Sequence, residues 1–146
     1  RFKYYGCREY GDFYAKAMSV FGKKYLERWK PDLIVPVPLH PRKKRMRGFN
    51  QAAYLAERLS VLTGIPWNEH LVKKIRSTRS QKKLNAIQRR QNLKNAYQVT
   101  EKIPGFSVLV VDDVYTTGST ADAMAMCLLE AGAEKVYFLT ICAGRA

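Results

Sequence analysis

The chain has 146 residues, 47% of them hydrophobic and 26% charged, and a formal net charge of +14, which suits one globular domain with a single core. No apolar run is as long as a membrane span and the start of the chain lacks a secretory signal, so we expect a cytoplasmic protein. The three cysteines have unrelated spacings, which argues against a disulfide framework and against zinc: Cys7, Cys127 and Cys142.

The first half of the chain predicts two helices on either side of a short strand. Apolar residues at helical spacing predict a first helix over Glu9–Trp29, which Pro31 and Asp32 end. Leu33–Val37 is apolar enough for a strand, with Pro36 and Pro38 near its end or on an edge. A second helix starts near Phe49 and closes at Gly64.

The second half predicts three strands, a helix and a basic loop. Lys73–Lys94 has few apolar residues, and we interpret it as largely a loop. The other predicted elements are strands over Ala96–Val99, Val108–Val111 and Val136–Ile141, and a helix over Thr120–Ala131. This order predicts an α/β fold with a mostly parallel sheet flanked by helices, in which ligands bind beyond the carboxyl ends of the strands.

Residues 108–120 carry the most informative motif. Four apolar residues predict a strand buried on both faces, and two acids follow where that strand should end. A small, hydroxyl-rich turn then opens a helix, and its N–H groups and hydroxyls suit a phosphate. The carboxylates suit sugar hydroxyls or Mg²⁺ held through water. We predict a ribose-phosphate site made of Asp112, Asp113, Tyr115, Thr116, Thr117, Gly118, Ser119 and Thr120. The alternative is an ordinary strand, turn and helix cap.

This motif resembles the diphosphoribosyl-binding signature of type I phosphoribosyltransferases. A second stretch, residues 33–41 followed by Arg47-Gly-Phe-Asn-Gln51, resembles the ComF family of competence proteins, which act in bacterial DNA uptake. Spaced residues of the middle segment strengthen that likeness: Arg79, Gln81, Leu84, Arg89 and Asn92. Family members often carry an N-terminal zinc-binding ribbon, but this chain has no Cys-x-x-Cys and begins at Arg1 rather than Met. We therefore expect residues 1–146 to form one domain, from which an upstream ribbon is missing.

The resemblance implies a fold, a ligand and roles for individual residues. The fold is that of a type I phosphoribosyltransferase with a basic flexible loop over the site, and the ligand is phosphoribosyl pyrophosphate with Mg²⁺. Asp112 and Asp113 would hold the ribose, lie near the Mg²⁺ and act in catalysis. The pyrophosphate loop would contain Pro38, Leu39, His40 and Arg47. The closing loop would contain Arg79, Gln81, Arg89 and Arg90. No acceptor pocket is recognisable, so transfer and a ligand site without transfer both stay open.

Two segments concentrate the positive charge. Residues 42–47 hold five basic residues in six positions, and residues 73–94 hold nine with no acid. Such clusters suit a polyanion, and the candidate contacts to single-stranded DNA are Arg42, Lys43, Lys44, Arg45, Lys82 and Lys83. The alternatives are a solvated basic surface, a DNA-binding module with a vestigial pocket and a protein that docks onto other uptake components. Tyr97 and Tyr115 are candidates for stacking on a base, with packing as the alternative.

Overall fold

Helices and strands alternate along most of the chain, as in α/β domains. The computed structural model describes residues 8–40, 45, 50–76, 87–88, 95–115 and 118–143. In chain order its elements are helix α1 (Arg8–Phe21), helix α2 (Lys23–Trp29), strand β1 (Leu33–Pro36), helix α3 (Gln51–Thr63), strands β2 (Val72–Lys74), β3 (Tyr97–Val99) and β4 (Ser107–Tyr115), helix α4 (Ser119–Glu130) and strand β5 (Lys135–Ala143).

A parallel sheet of three strands forms the centre of the domain. Strand β4 lies between β1 and β5, with Leu33 opposite Val108 on one side and Lys135 opposite Ser107 on the other. An isolated parallel bridge also joins Ile34 of β1 to Trp67, which lies outside the named strands. The four apolar residues 108–111 are fully buried, because both faces of the sheet are covered. The predicted mostly parallel sheet flanked by helices is therefore confirmed.

Helices α1, α2 and α3 cover one face of this sheet. Met18 of α1 and Leu55 and Leu59 of α3 pack with Leu109 and Val111 of β4. Each large side chain buried in this way contributes about 1.5–3 kcal/mol to folding. The longest of the described helices, α1, has 14 residues. None of them is long and apolar enough to cross a membrane.

Helix α4 and the pair β2–β3 cover the other face. Met124 and Leu128 of α4 pack with Tyr97 of β3 against Val108 and Val110. Strands β2 and β3 pair antiparallel and form a two-stranded ribbon. Residues 75–96 connect these two strands. This ribbon therefore positions both ends of the basic segment.

Three predicted boundaries were wrong. The first helix is divided at Gly22, where the chain makes one turn between α1 and α2. Residues Lys73 and Lys74 belong to β2 rather than to a loop, because they pair with Gln98 and Tyr97 of β3. Strand β4 does not end before the acids. It continues to Tyr115, because β5 pairs with it up to that residue, where Tyr115 lies opposite Ala143.

The other predicted elements are confirmed to within a few residues. Helix α3 ends at Gly64, whose φ of 78° is the left-handed conformation expected of a glycine there. Pro36 is the last residue of β1, where a missing N–H disturbs the ladder least. Helix α4 begins at Ser119, beside Gly118 with a φ of 81°.

Candidate functional site

Asp112 and Asp113 lie at the carboxyl end of the central strand. The pairing of β1 with β4 ends at Val111, whose carbonyl accepts a hydrogen bond from the Val37 N–H at 2.9 Å. The acids therefore follow the last contact between the two strands, next to the point at which the chain leaves β1. Both side chains are half-buried, and the Asp113 N–H donates to Asp112 Oδ1 at 2.8 Å.

The two carboxylates belong to opposite faces of the sheet. Side chains alternate along a strand, so Asp112 shares the face of Val110 and Asp113 shares the face of Val111. A ligand that contacts both acids must therefore lie along the edge of β4 beyond Val111, where the pairing with β1 has ended. This is the arrangement expected for a sugar ring whose neighbouring hydroxyls reach one acid each.

The start of α4 lies a few residues beyond the acids. Gly118 takes a left-handed φ of 81°, and its carbonyl accepts the Asp122 N–H at 2.8 Å, the first bond of the helix. The N–H groups of a first helical turn have no partner within the helix, so this end attracts an anion. Ser119 is exposed and Thr120 is half-buried. Thr116, Thr117 and the Tyr115 side chain lie outside the described residues.

Tyr97 brings the β2–β3 ribbon to the same place. Only 6% of the residue is exposed, and its side chain is hydrogen-bonded to that of Thr120. The pKa of Tyr97 is raised to about 12, mainly by burial; the Thr120 hydrogen bond lowers it and the negative charge of Asp112 adds to the rise. The Tyr97 hydroxyl therefore keeps its proton at neutral pH and lies close to both parts of the ribose-phosphate motif.

A groove of about 940 Å³ opens beside the acids. One wall contains Pro38, Leu39, His40, Arg45 and Asn50. A second wall contains Glu69, His70 and residues 72–75. Among the described residues the acids themselves do not line it. The hydrogen bond from Val37 to Val111 connects the groove to the acids, because Pro38 follows Val37 and Asp112 follows Val111 in the chain.

The Asn50 side chain closes the base of the segment that forms the first wall. It is 8% exposed, and its Nδ2 donates to the Val37 carbonyl at 3.2 Å. Its Oδ1 accepts the N–H groups of Ala52 and Ala53 at 3.0 and 3.3 Å, so the same residue caps α3. Val37 and Asn50, which flank residues 38–49, are therefore held together close to the acids.

The charged residues that line the groove are mostly basic. Arg45, Lys73 and Lys74 contribute three positive charges, and Glu69 is the carboxylate among the described lining residues. Lys74 Nζ lies 5.7 Å from the centroid of the Tyr97 ring, at cation–π distance. The His70 imidazole is close to Glu69, with 3.6 Å between Nε2 and Oε2. This balance favours an anionic ligand.

The structure brings some of the predicted site residues together and does not describe others. Asp112, Asp113, Gly118, Ser119 and Thr120 gather around the carboxyl end of β4 and the start of α4, and Pro38, Leu39, His40 and Arg45 line the neighbouring groove. The remaining predicted contacts lie outside the described residues: Arg42, Lys43, Lys44, Arg47, Arg79, Gln81, Lys82, Lys83, Arg89 and Arg90.

Sequence reasoning missed two residues that organise this site. Asn50 precedes the apolar pattern of α3, so the usual signal of an N-cap could have identified it. Tyr97 was considered only for stacking or packing, because nothing in the sequence indicates that it meets Thr120. Within the described part of the chain, no group of three or more His, Cys, Asp or Glu side chains could hold a metal ion.

Comparison with known proteins identifies the family. Residues 8–146 match the phosphoribosyl transferase domain family. DNA utilization protein YhgH of Escherichia coli K12 is 41% identical over 112 residues, which are 77% of this chain and 49% of that protein. Competence protein ComFC of Bacillus subtilis is 33% identical over 133 residues, 90% of this chain and 52% of that protein. Competence protein F of Haemophilus influenzae is 40% identical over 109 residues, which are 73% of this chain and 48% of that protein. The chain spans about half the length of the curated relatives it matches.

Solved structures agree on the fold. Phosphoribosylpyrophosphate synthetase from Mycobacterium smegmatis superposes with a TM-score of 0.56 at 18% identity, over 87% of this chain and 33% of that one. A purine phosphoribosyltransferase from Pyrococcus horikoshii superposes with a TM-score of 0.52 at 18% identity, over 88% of this chain and 71% of that one. At this identity the likeness shows the fold alone. The competence relatives confirm the resemblance to ComF proteins, and the chain belongs to the phosphoribosyl transferase domain family.

Proposed function

We propose that this protein binds phosphoribosyl pyrophosphate with Mg²⁺ at the carboxyl ends of β1 and β4, and that it assists DNA uptake as a phosphoribosyltransferase-like component. One observation carries the proposal. Asp112 and Asp113 are half-buried near the carboxyl end of the central strand, and the left-handed Gly118 and the start of α4 follow a few residues later. Sugar hydroxyls and a phosphate need these two environments side by side.

The ribose and its 5′-phosphate would occupy this turn. Carboxylates accept hydrogen bonds from the two neighbouring ribose hydroxyls, whereas a helix start donates N–H groups to a phosphate. The acids repel a phosphate and the helix start attracts one, so the ligand has only one favourable orientation. Tyr115, Thr116 and Thr117 belong to the same proposed contact set.

The pyrophosphate would lie toward the groove. Pro38, Leu39 and His40 form the wall nearest the acids, and Arg45, Lys73 and Lys74 supply positive charge around it. Arg47 of the pyrophosphate loop and Arg79, Gln81, Arg89 and Arg90 of the basic segment are proposed to complete the charge. The ribbon supports this placement, since it fixes both ends of the basic segment next to the groove.

The acid pair fits Mg²⁺ as this ion is usually held in nucleotide and phosphate sites. Magnesium is commonly bound by one or two protein carboxylates together with water and substrate phosphates, rather than by a full protein cage. Asp112 and Asp113 would hold it through water or through the ligand, and the bound ion would neutralise charge on the diphosphate. The chain's own carboxylates would also stabilise positive charge that develops at the anomeric carbon when pyrophosphate departs.

A thermal-shift titration tests the proposal. Phosphoribosyl pyrophosphate with Mg²⁺ raises the melting temperature of the wild type, and Asp112→Asn and Asp113→Asn each reduce the shift, because a neutral amide accepts sugar hydroxyls more weakly. Glu134→Gln is the matched control. It removes the same charge from an exposed residue just before β5, at the opposite end of the sheet, and leaves the shift unchanged. An unshifted wild type, or equal shifts in all four proteins, contradicts the proposal.

The charge of the groove favours single-stranded DNA as a second ligand. Arg45 and Lys73 are exposed on its two walls, and the relatives are named for DNA utilization and competence. Phosphate contacts make affinity depend on salt, with a slope of about 0.7 per contact for single strands. The double variant Arg45→Ala with Lys73→Ala should weaken binding and lower that slope. The control combines Lys16→Ala with Lys24→Ala, which change two exposed lysines of α1 and α2. It should alter neither the affinity for DNA nor the salt slope. Equal losses in the two double variants, or affinity that ignores salt, would remove DNA from the account.

A further inference from the structure

Strand β5 forms an edge of the central sheet. It pairs with β4 from Lys135 to Ala143, and no strand in the part of the chain that the structure describes pairs with its outer side. The opposite edge is protected, because the Ile34 N–H donates to the Pro66 carbonyl at 2.8 Å and the Ile34 carbonyl accepts the Asn68 N–H at 3.0 Å. The outer N–H and C=O groups of β5 can therefore pair with another strand.

The sequence of β5 lacks the features that usually protect an exposed edge. Short strands, prolines, bulges and charged side chains serve this purpose. Strand β5 has nine residues, KVYFLTICA, with no proline and with one charge, that of Lys135 at its amino end. The rest of the strand is neutral, although the chain as a whole has a net charge of +14. A long, uncharged edge of this kind is suited to strand addition.

Phe21 places an exposed aromatic ring beside this edge. It is the last residue of α1, and 83% of it is exposed. The next residue, Gly22, packs on β5, since a Cβ there would lie 3.7 Å from Leu139 Cδ1. On a helix with 3.6 residues per turn, Phe21 lies opposite Asp12, which accepts the Tyr54 hydroxyl of α3 at 2.8 Å. Because α3 packs on β1 and β4, Phe21 lies on the other side of α1, above the open edge.

A column of aromatic rings continues this surface along α2. The Tyr137 ring of β5 stacks on the Trp29 ring, with 4.5 Å between the centroids and an angle of 9° between the planes. The Trp29 ring contacts that of Tyr25 at 5.5 Å, and 52% of Tyr25 is exposed. Contiguous apolar surface of this kind commonly marks an interaction site. We call the outer edge of β5, together with Phe21 and Tyr25, the β5 face.

We propose that the β5 face binds a second copy of this chain, with the two β5 strands antiparallel about a twofold axis. A surface that pairs with itself must be complementary to itself, and two identical antiparallel edges meet this condition. The axis is perpendicular to the sheet, so helices α1 and α2 of both copies lie on the same side. Phe21 and Tyr25 of each copy then cover the seam between the strands from opposite sides.

Charge favours a second copy as the partner. Two chains that each carry +14 repel one another across most of their surfaces. Antiparallel pairing centred near Leu139 places the two Lys135 residues at opposite ends of the seam, about 26 Å apart. This distance exceeds the screening length of about 8 Å in physiological salt. An uncharged edge is needed only when the partner is equally basic, because an acidic strand would be attracted to this chain.

Two lysines beside the face give the dimer a characteristic salt dependence. Lys23 and Lys24 follow Gly22, and Lys23 pairs with Glu27 at 3.9 Å. Lys24 is exposed, so it adds repulsion between the copies. Salt screens repulsion between exposed charges, and the dimer should therefore tighten as the salt concentration rises. Binding of single-stranded DNA responds to salt in the opposite direction.

The dimer leaves the candidate ligand site open. Asp112 and Asp113 lie beyond the end of the β1 pairing, on the side of β4 away from the outer edge of β5. The carboxyl ends of the two sheets point in opposite directions in an antiparallel dimer, so the two sites are far apart. The inference therefore goes beyond the proposed function and stands or falls without it.

Sedimentation velocity over a range of protein concentrations tests the inference. The wild type should pass from monomer to dimer. Phe21→Lys should weaken the dimer by about tenfold or more, because two aromatic contacts are lost and like charges are added on both sides of the seam. Val61→Lys is the matched control. Val61 is also an apolar residue near the end of a helix, 65% exposed, but it belongs to α3, so the same added charge should leave the dimer unchanged.

Hydrogen exchange identifies the strand that pairs. The outward amides within residues 136–143 should exchange more slowly as the dimer forms. A wild type that stays monomeric overturns the inference and leaves the β5 face to a different partner. A dimer that Phe21→Lys and Val61→Lys weaken equally, or in which residues 136–143 gain no protection, uses another surface and also overturns it. A dimer that weakens as salt rises is held together by opposite charges, which contradicts the proposed interface.

Discussion

Removal of the Asn50 side chain should release both ends of the proposed pyrophosphate loop at once. The side chain caps α3 through Ala52 and Ala53 and also donates to the Val37 carbonyl at 3.2 Å. Loss of an N-cap costs about 1 kcal/mol, and loss of a buried hydrogen bond costs about 1 kcal/mol more. Asn50→Ala should therefore lower the free energy of unfolding by about 2 kcal/mol.

A serine at the same position separates the two contributions. The Ser hydroxyl still caps the helix, but it is too short to reach the Val37 carbonyl, so Asn50→Ser should cost about half as much as Asn50→Ala. Asn68→Ala is the matched control. Its Oδ1 accepts the His70 N–H at 3.0 Å in an exposed position, so the change should cost less than about 0.5 kcal/mol.

Urea unfolding followed by circular dichroism measures these differences, and pyrophosphate titration measures their consequence for the site. Affinity should fall in Asn50→Ala, because the loop is no longer held beside β4. If Asn50→Ala lowers the free energy of unfolding no more than Asn68→Ala does, the two hydrogen-bonding roles assigned to Asn50 are wrong. If Asn50→Ser costs as much as Asn50→Ala, the two contributions were assigned wrongly.

Three further predictions concern backbone strain and proton binding. Gly118→Ala and Gly64→Ala place a side chain at φ values of 81° and 78°, so each should lower the free energy of unfolding in urea by about 1 kcal/mol. Of these two variants, only Gly118→Ala should also weaken the binding of ribose 5-phosphate. Gly132→Ala should cost at least about 2 kcal/mol in the same assay, because its φ is 114° and the new Cβ would collide with the Ile103 carbonyl oxygen. Burial raises the pKa of Tyr97 from 10.0 to about 12, so the folded state keeps a proton that the unfolded state loses. Stability should be complete below pH 10 and fall as the pH rises toward 12, and Tyr97→Phe should reduce that fall.

The parts of the fold that local sequence determines were predicted well. Residues 108–111 are apolar enough to identify a buried strand, and the end of α3 is marked by Gly64. The errors occur where a distant partner decides the structure. Asp112 and Asp113 are poor strand formers, yet β5 pairs with Asp112 and with Val114 and so keeps both acids within the strand. Lys73 and Lys74 form a strand only because residues 97 and 98 lie opposite.

The candidate site shows the same division. The acids, Gly118 and the start of α4 are contiguous in the sequence, so the motif could be predicted as a unit. Tyr97 meets Thr120 only after β3 packs against α4, and the second wall of the groove comes from the segment that leads into β2. Local patterns contain no signal for such contacts, because they arise from the packing of elements far apart in the chain.

A structure of the protein with phosphoribosyl pyrophosphate and Mg²⁺ would test the central claim most directly. The account predicts ribose hydroxyls within hydrogen-bond distance of Asp112 and Asp113, and the 5′-phosphate on the N–H groups that open α4. A ligand whose phosphate lies anywhere else, with both carboxylates out of reach of its sugar, would contradict it.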